Sequence, residues 1–187
     1  MVNMAPFKAP LWRRMPPAVF PPLLGLFALS LVWRRAADVF AIGTGWSELI
    51  LGAVLLIFLF MAGSYVRKLT QRPAVILEDL RILPGRAGLA ALSMSVIVLA
   101  AGLVPLFPRV AVFVMMLGIC LHVINALLVI YVLRTGPPEQ RQVTPAWHLS
   151  FVGFIVIPLA AVPLGFNALA AYALAGSMVM AAVIYGI

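Results

Sequence analysis

Six stretches of roughly twenty predominantly apolar residues follow one another along the chain, and the segments between them hold nearly all of its charge. At about 1.5 Å of rise per residue, each stretch is long enough to cross a hydrocarbon core of about 30 Å as a helix. Backbone N–H and C=O groups in lipid must pair within their own segment, so unbroken apolar runs of this length imply helices. Barrel strands would be shorter and would alternate polar with apolar residues. Hydrophobic residues make up 65% of the 187 positions and charged ones only 10%, whereas a soluble domain carries about 25% charged residues because its surface faces water. The expected fold class is an all-α integral membrane protein, with about six transmembrane helices in three hairpins forming one domain over 1–187.

The spans are expected near 17–33, 48–66, 87–106, 110–133, 147–164 and 168–187. Of the 13 lysines and arginines, Lys8, Arg13, Arg14, Arg67, Lys68, Arg72, Arg81, Arg86, Arg134 and Arg141 would share one side of the membrane. Only Arg34, Arg35 and Arg109 would lie on the other. The excess of basic residues in cytoplasmic loops predicts a cytoplasmic amino terminus and a multi-pass protein of the cell inner (plasma) membrane. The same clustering accounts for the net charge of +8, so no nucleic-acid partner is expected. Arg13-Arg14 before an apolar run has the outline of a signal peptide. Pro16, Pro17, Pro21 and Pro22 interrupt that run, however, and Arg34-Arg35 stands where a small-residue cleavage site would be needed. The last span stops at Tyr185-Gly186-Ile187 without a basic anchor, which predicts the front portion of a longer protein.

Prolines divide the spans unevenly. The second, fourth and sixth contain none, while the first carries Pro17, Pro21 and Pro22 and the fifth carries Pro158 and Pro163. A proline removes a backbone donor and bends a helix, so Pro22 and Pro158 are the expected kinks. A carbonyl freed in this way must meet protein or a water-filled cavity, which places odd-numbered helices inside and even-numbered ones outside. Gly25, Ser30, Gly52, Gly63, Gly88, Ser93, Gly102 and Gly153 would let helices approach closely.

No Asp, Glu, Lys or Arg lies deep within a span. Such residues mark proton relays and pumps, and their scarcity points to passive movement along a neutral path. Gly118, His122, Asn125 and Val129 share one face of the fourth span. His122 and Asn125 are therefore candidates for substrate contact, for a partner-facing surface, or for an interhelical hydrogen bond worth about 0.6–2 kcal/mol. His148, beside Trp147, opens the fifth span, either as an interfacial anchor or as a polar group at a cytoplasmic mouth. His122 and His148 would sit at different depths, about 16 Å apart by helical rise, which argues against a shared haem. Cys120 stands alone and cannot form an intrachain disulfide. No metal, cofactor or catalytic residue is expected, and no enzyme signature occurs.

Pro22-Leu23-Leu24-Gly25-Leu26, continuing through Leu29-Ser30-Leu31 to Trp33, resembles the first inner helix of the tellurite-resistance/dicarboxylate transporter family. Thr144-Pro145-Ala146-Trp147-His148, followed by Gly153, Pro158 and Leu164-Gly165-Phe166, resembles its fifth helix. The order and lengths of all six spans also fit. The resemblance implies part of a ten-helix, five-hairpin anion channel in which odd helices line a central pore. It further implies transport of small inorganic anions or C4-dicarboxylates, and a homotrimer with one pore per protomer. The family's ninth helix, with its gating phenylalanine, has no counterpart among the six spans. The resemblance also places the fourth span outside, making His122 and Asn125 packing or subunit-contact residues.

The expected function is therefore an anion channel or transporter acting with the lipid bilayer, with Gly25, Ser93, His148 and Gly153 near the path. A structural or assembly subunit without transport activity, docking a partner through His122 and Asn125, is the alternative. A haem-bearing redox subunit is the third reading, and it predicts coloured protein.

Overall fold

The structure, a computed structural model, describes residues 15–141 and 143–186. Lys8, Arg13 and Arg14, used above for orientation, and Ile187, the end of the sixth expected span, lie outside the described residues. Among the described residues the secondary structure is entirely helical. A 3-10 turn, Pro17–Val19, leads into α1 (Phe20–Phe40) and then α2 (Gly45–Gln71). A short α3 (Val75–Arg81) precedes α4 (Leu83–Leu103), and α5 (Pro108–Thr135) follows it. After a 3-10 turn at Pro138–Arg141, the fifth apolar segment is made of three pieces. They are a π-helical turn (His148–Val152), a 3-10 turn (Gly153–Val156) and a single α turn, α6 (Pro158–Ala161). The last helix is α7 (Asn167–Tyr185). Of these, α1 with its leading turn, α2, α4, α5 and α7 are long and apolar enough to cross a membrane.

Local chemistry explains several helix ends. Pro21 and Pro22 lie in the first turn of α1, where N–H groups have no intrahelical acceptor, so neither proline costs a helical bond. Pro22 thus marks the start of α1 and does not bend its interior. At the other end Ala41 takes a left-handed conformation with φ 52°, and Ile42 N–H returns to Ala37 O at 3.1 Å. This is the closing geometry that usually selects glycine. Arg34 reaches across from α1 and donates to Gly102 O at 3.0 Å, occupying one of the carbonyls left open at the end of α4.

Burial separates one helix from the rest. In α4, 83% of the most apolar window is buried, against 17% to 33% for the other long helices. The third span is thus the axis of the bundle, and the first is as exposed as the even-numbered ones. Small residues let neighbours reach α4. Gly88 lies against the Pro17 backbone, Gly102 against Leu51, and Gly118 of α5 against Ile97. Gly25, Gly52 and Gly63, by contrast, face open space. Between α1 and α2, Phe20 meets Phe58 and Tyr65 edge-on, and Phe27 meets Phe58 with ring centroids 5.5 Å apart. Such pairs contribute about 0.5–1.5 kcal/mol each beyond their buried area.

The basic segment between the second and third spans is folded. Asp79 of α3 accepts from Tyr65 Oη at 2.9 Å and pairs with Lys68 Nζ at 3.1 Å. Lys68 also donates to Met15 O at 3.3 Å. Arg86, buried in the first turn of α4, donates through Nε to Leu80 O at 2.7 Å. Gly85 is packed against the Asp79 backbone. Lys68 and Arg86, two of the basic residues that argue for orientation, therefore also hold this connection in place, and Arg72 meets Glu78 at 2.7 Å. The last of these pairs is exposed and contributes little.

Candidate functional site in the broken fifth span

The break in the fifth segment follows from its sequence. Pro158 has no N–H to give Phe154 O. Ile157 N–H takes that acceptor at 3.0 Å, tightening the chain to 3-10 geometry. Upstream, the wide turn at His148–Val152 lets Gly153 press its backbone against α5. Single π turns inside helices are rare and recur at functional sites. The fifth span, expected as one helix over 147–164, is corrected to this interrupted form. Pro158 is the first residue of its last turn.

The group that Gly153 meets is His122. A β-carbon at Gly153 would stand 2.6 Å from His122 Cε1 and Nε2 and 2.9 Å from Met94 Sδ. Phe154 packs edge-on against the imidazole, with ring centroids 4.5 Å apart. From α4, Ser93 Oγ lies 2.8 Å from His122 Nδ1. Ser93 Oγ also bonds back to Ala90 O at 2.9 Å, so its hydroxyl hydrogen has a backbone acceptor and its lone pair faces a ring N–H on Nδ1. In the neutral imidazole that leaves Nε2 as the bare acceptor. His122 is fully buried, and its Nε2 has no hydrogen-bond partner among the described residues.

Other polar atoms near the break share this property. Asn125, on the same face of α5, leaves both side-chain atoms unpartnered, and so does the Oγ of Ser150 in the π turn. Asn125 is 6% exposed and Ser150 1%. A buried polar group without a partner costs about 1–3 kcal/mol. Thr144, Trp147, His148 and Ser177 carry buried unpartnered side-chain atoms as well, so the fifth segment and its neighbours gather such groups, a costly arrangement for packing alone.

The expected site residues fall into two groups. Ser93 and Gly153 are brought together through His122, and Asn125 follows one turn along α5. Gly25 is exposed on α1, with open space beyond it. His148 is half-buried, with its ring 5.0 Å from that of Tyr185. It lines a cleft of about 360 Å³ with Thr144, Pro145 and Ile184. His122 therefore packs within the chain, against α4 and the fifth segment, and Asn125 is buried on the same face of α5. Ser150, Met94 and Phe154 were not singled out from sequence. The only local signal for Ser150 is a hydroxyl in an otherwise apolar run, three residues before Gly153.

Five membrane-length apolar helices, one of them the buried axis, with a sixth apolar segment broken over a polar core, define a multi-pass helical membrane protein. The voltage-dependent anion channel (SLAC1) family matches residues 14–187, and the chain belongs to that family. Its members are membrane anion channels and transporters, as the motifs of the first and fifth spans imply. No curated protein and no solved structure was found to match the chain significantly.

Proposed function

We propose that the chain moves small inorganic anions or C4-dicarboxylates across a cell inner (plasma) membrane, along the inner faces of the first, third and fifth spans. Gly25, Ser93, His148 and Gly153 lie along this path, and the spans act as one transmembrane unit. The amino terminus is cytoplasmic, and the working assembly is a homotrimer. The observation that carries the reading is the family match across residues 14–187. The interrupted fifth segment supports it, because irregular backbone at membrane depth is tolerated where it meets protein or a polar cavity and not lipid. Tellurite resistance belongs to the same reading, as a side effect of transport.

The test is salt-gradient-driven flux of chloride, nitrate, sulfite and malate into proteoliposomes holding the complete protein. Flux that rises with protein and is absent from empty liposomes is the expected result. Failure of all four anions to move, with a control channel active and the protein folded, overturns the reading.

A further inference from the structure

We propose that His122, Asn125 and Ser150 form an intramembrane binding site for a small inorganic anion, occupied together with a proton on His122 Nε2. The choice of an anion rests on the transport reading above; the geometry of the site does not. Met115, about two turns before His122 on α5, shares one apolar cluster with Ile157 and Ala160. His122 in turn meets Gly153 and Phe154. The two segments therefore run in opposite directions, and Asn125, one turn beyond His122, lies at the level of Ser150, one turn before Gly153. All three residues are more than nine-tenths buried and keep side-chain polar atoms without a partner among the described residues.

The chemistry of these atoms suits an anion carried with a proton. Asn125 Nδ2 and the Ser150 hydroxyl are donors. His122 Nε2 becomes a third donor on taking a proton, while Nδ1 keeps its bond to Ser93. A protonated imidazole beside an anion is a neutral pair, which suits a low-dielectric interior. The charged residues on α4 and α5 are all basic. α4 carries Arg86, α5 carries Arg109 and Arg134, and the fifth segment and α7 contain no carboxylate. His148, Tyr172 and Tyr185 are the remaining titratable groups on those last two elements, and Tyr131 and Cys120 those on α5. On α3, Glu78 faces Arg72 and Asp79 faces Lys68 and Tyr65, with Arg81 beside them. A metal cation would find His122 Nε2, the Asn125 carbonyl oxygen and one hydroxyl, with no carboxylate or thiolate among these side chains to balance its charge.

The test is thermal unfolding of the purified chain in detergent, with sodium chloride or bromide exchanged for sodium gluconate at constant ionic strength, at acid and at neutral pH. The expected result is a saturable halide-dependent rise in Tm, larger at acid pH. Ser150→Ala and Asn125→Leu should weaken the apparent halide affinity at least tenfold, and His122→Gln should remove its pH dependence. Ser150→Ala removes a single unpaired oxygen, so it tests the site even where Asn125→Leu fails to fold. No halide response in the wild type overturns the proposal, as does an equal response in the Ser150 variant or at both pH values. Halide stabilisation without flux in liposomes upholds the site and strikes the transport reading. Flux without halide stabilisation does the reverse.

Discussion

Gly153 and His122 occupy each other's space: the glycine has no side chain where the imidazole passes, and a β-carbon there would stand 2.6 Å from two ring atoms. The contact joins the interrupted fifth segment to α5, and through Ser93 to α4. Gly153→Val should therefore destabilise the protein by about 1–3 kcal/mol, the usual cost of overfilling a packed interior. Removing the ring in the same molecule, as His122→Ala with Gly153→Val, should recover part of that loss. Unfolding of the two single variants and the double variant in detergent measures the coupling. Strict additivity would falsify the contact.

Asp79 gathers Tyr65 and Lys68 at the base of α2. Both partners of the ion pair are mostly shielded, at 14% and 13% exposure, so Asp79→Asn should cost on the order of 1–2 kcal/mol, between the values for surface and buried pairs. The loosened α3 should become a better trypsin substrate after Arg81, the bond after Arg72 being blocked by Pro73. Unchanged cleavage kinetics would show that the connection is held by its apolar side chains alone.

Ala41 closes α1 with φ 52°, a conformation that costs a residue bearing a β-carbon about 1–2 kcal/mol. Ala41→Gly relieves that cost and gives part of it back through added freedom of the unfolded chain. A net gain of about 0.5–1 kcal/mol is expected, read as a higher Tm in detergent. A lower Tm would place the turn in another geometry.

Cys120 is exposed on α5, within an apolar stretch. Facing lipid, it should resist charged methanethiosulfonate reagents in intact liposomes and react once the protein is dissolved in a denaturing detergent. Rapid labelling in the bilayer would move that face of α5 into water.

Gly25 has open space beyond it, so Gly25→Leu should leave thermal stability within about 0.5 kcal/mol of the wild type. If the path runs past α1, the same change should lower anion flux severalfold. Equal flux would remove Gly25 from the path.

The apolar runs showed where helices form because lipid leaves the backbone few alternatives, and the spacing of Gly118, His122, Asn125 and Val129 showed that one face of α5 turns inward. Pro158 announced an irregularity but not its extent. The π turn depends on how Gly153 docks against α5, which local sequence does not encode. The Ser93–His122 bond joins residues 29 positions apart, and nothing near either residue names the other. Arg34 was legible as a charge on one side of the membrane, yet its bond to Gly102 O depends on the position of α4. Periodicity reports which face is buried, whereas partners are chosen by tertiary packing.

The burial of α4 has a consequence for biogenesis. Its mean hydropathy is 1.8, against 2.5 for α2 and α5, and its small residues serve neighbours more than lipid. As it emerges from the ribosome, this segment partitions into the bilayer less readily than the helices on either side. Its insertion is best completed when α2 is already in place and α5 follows, so a substitution that slows α5 should leave α4 stranded at the translocation machinery. Quality control would then read an error in one helix as the failure of another.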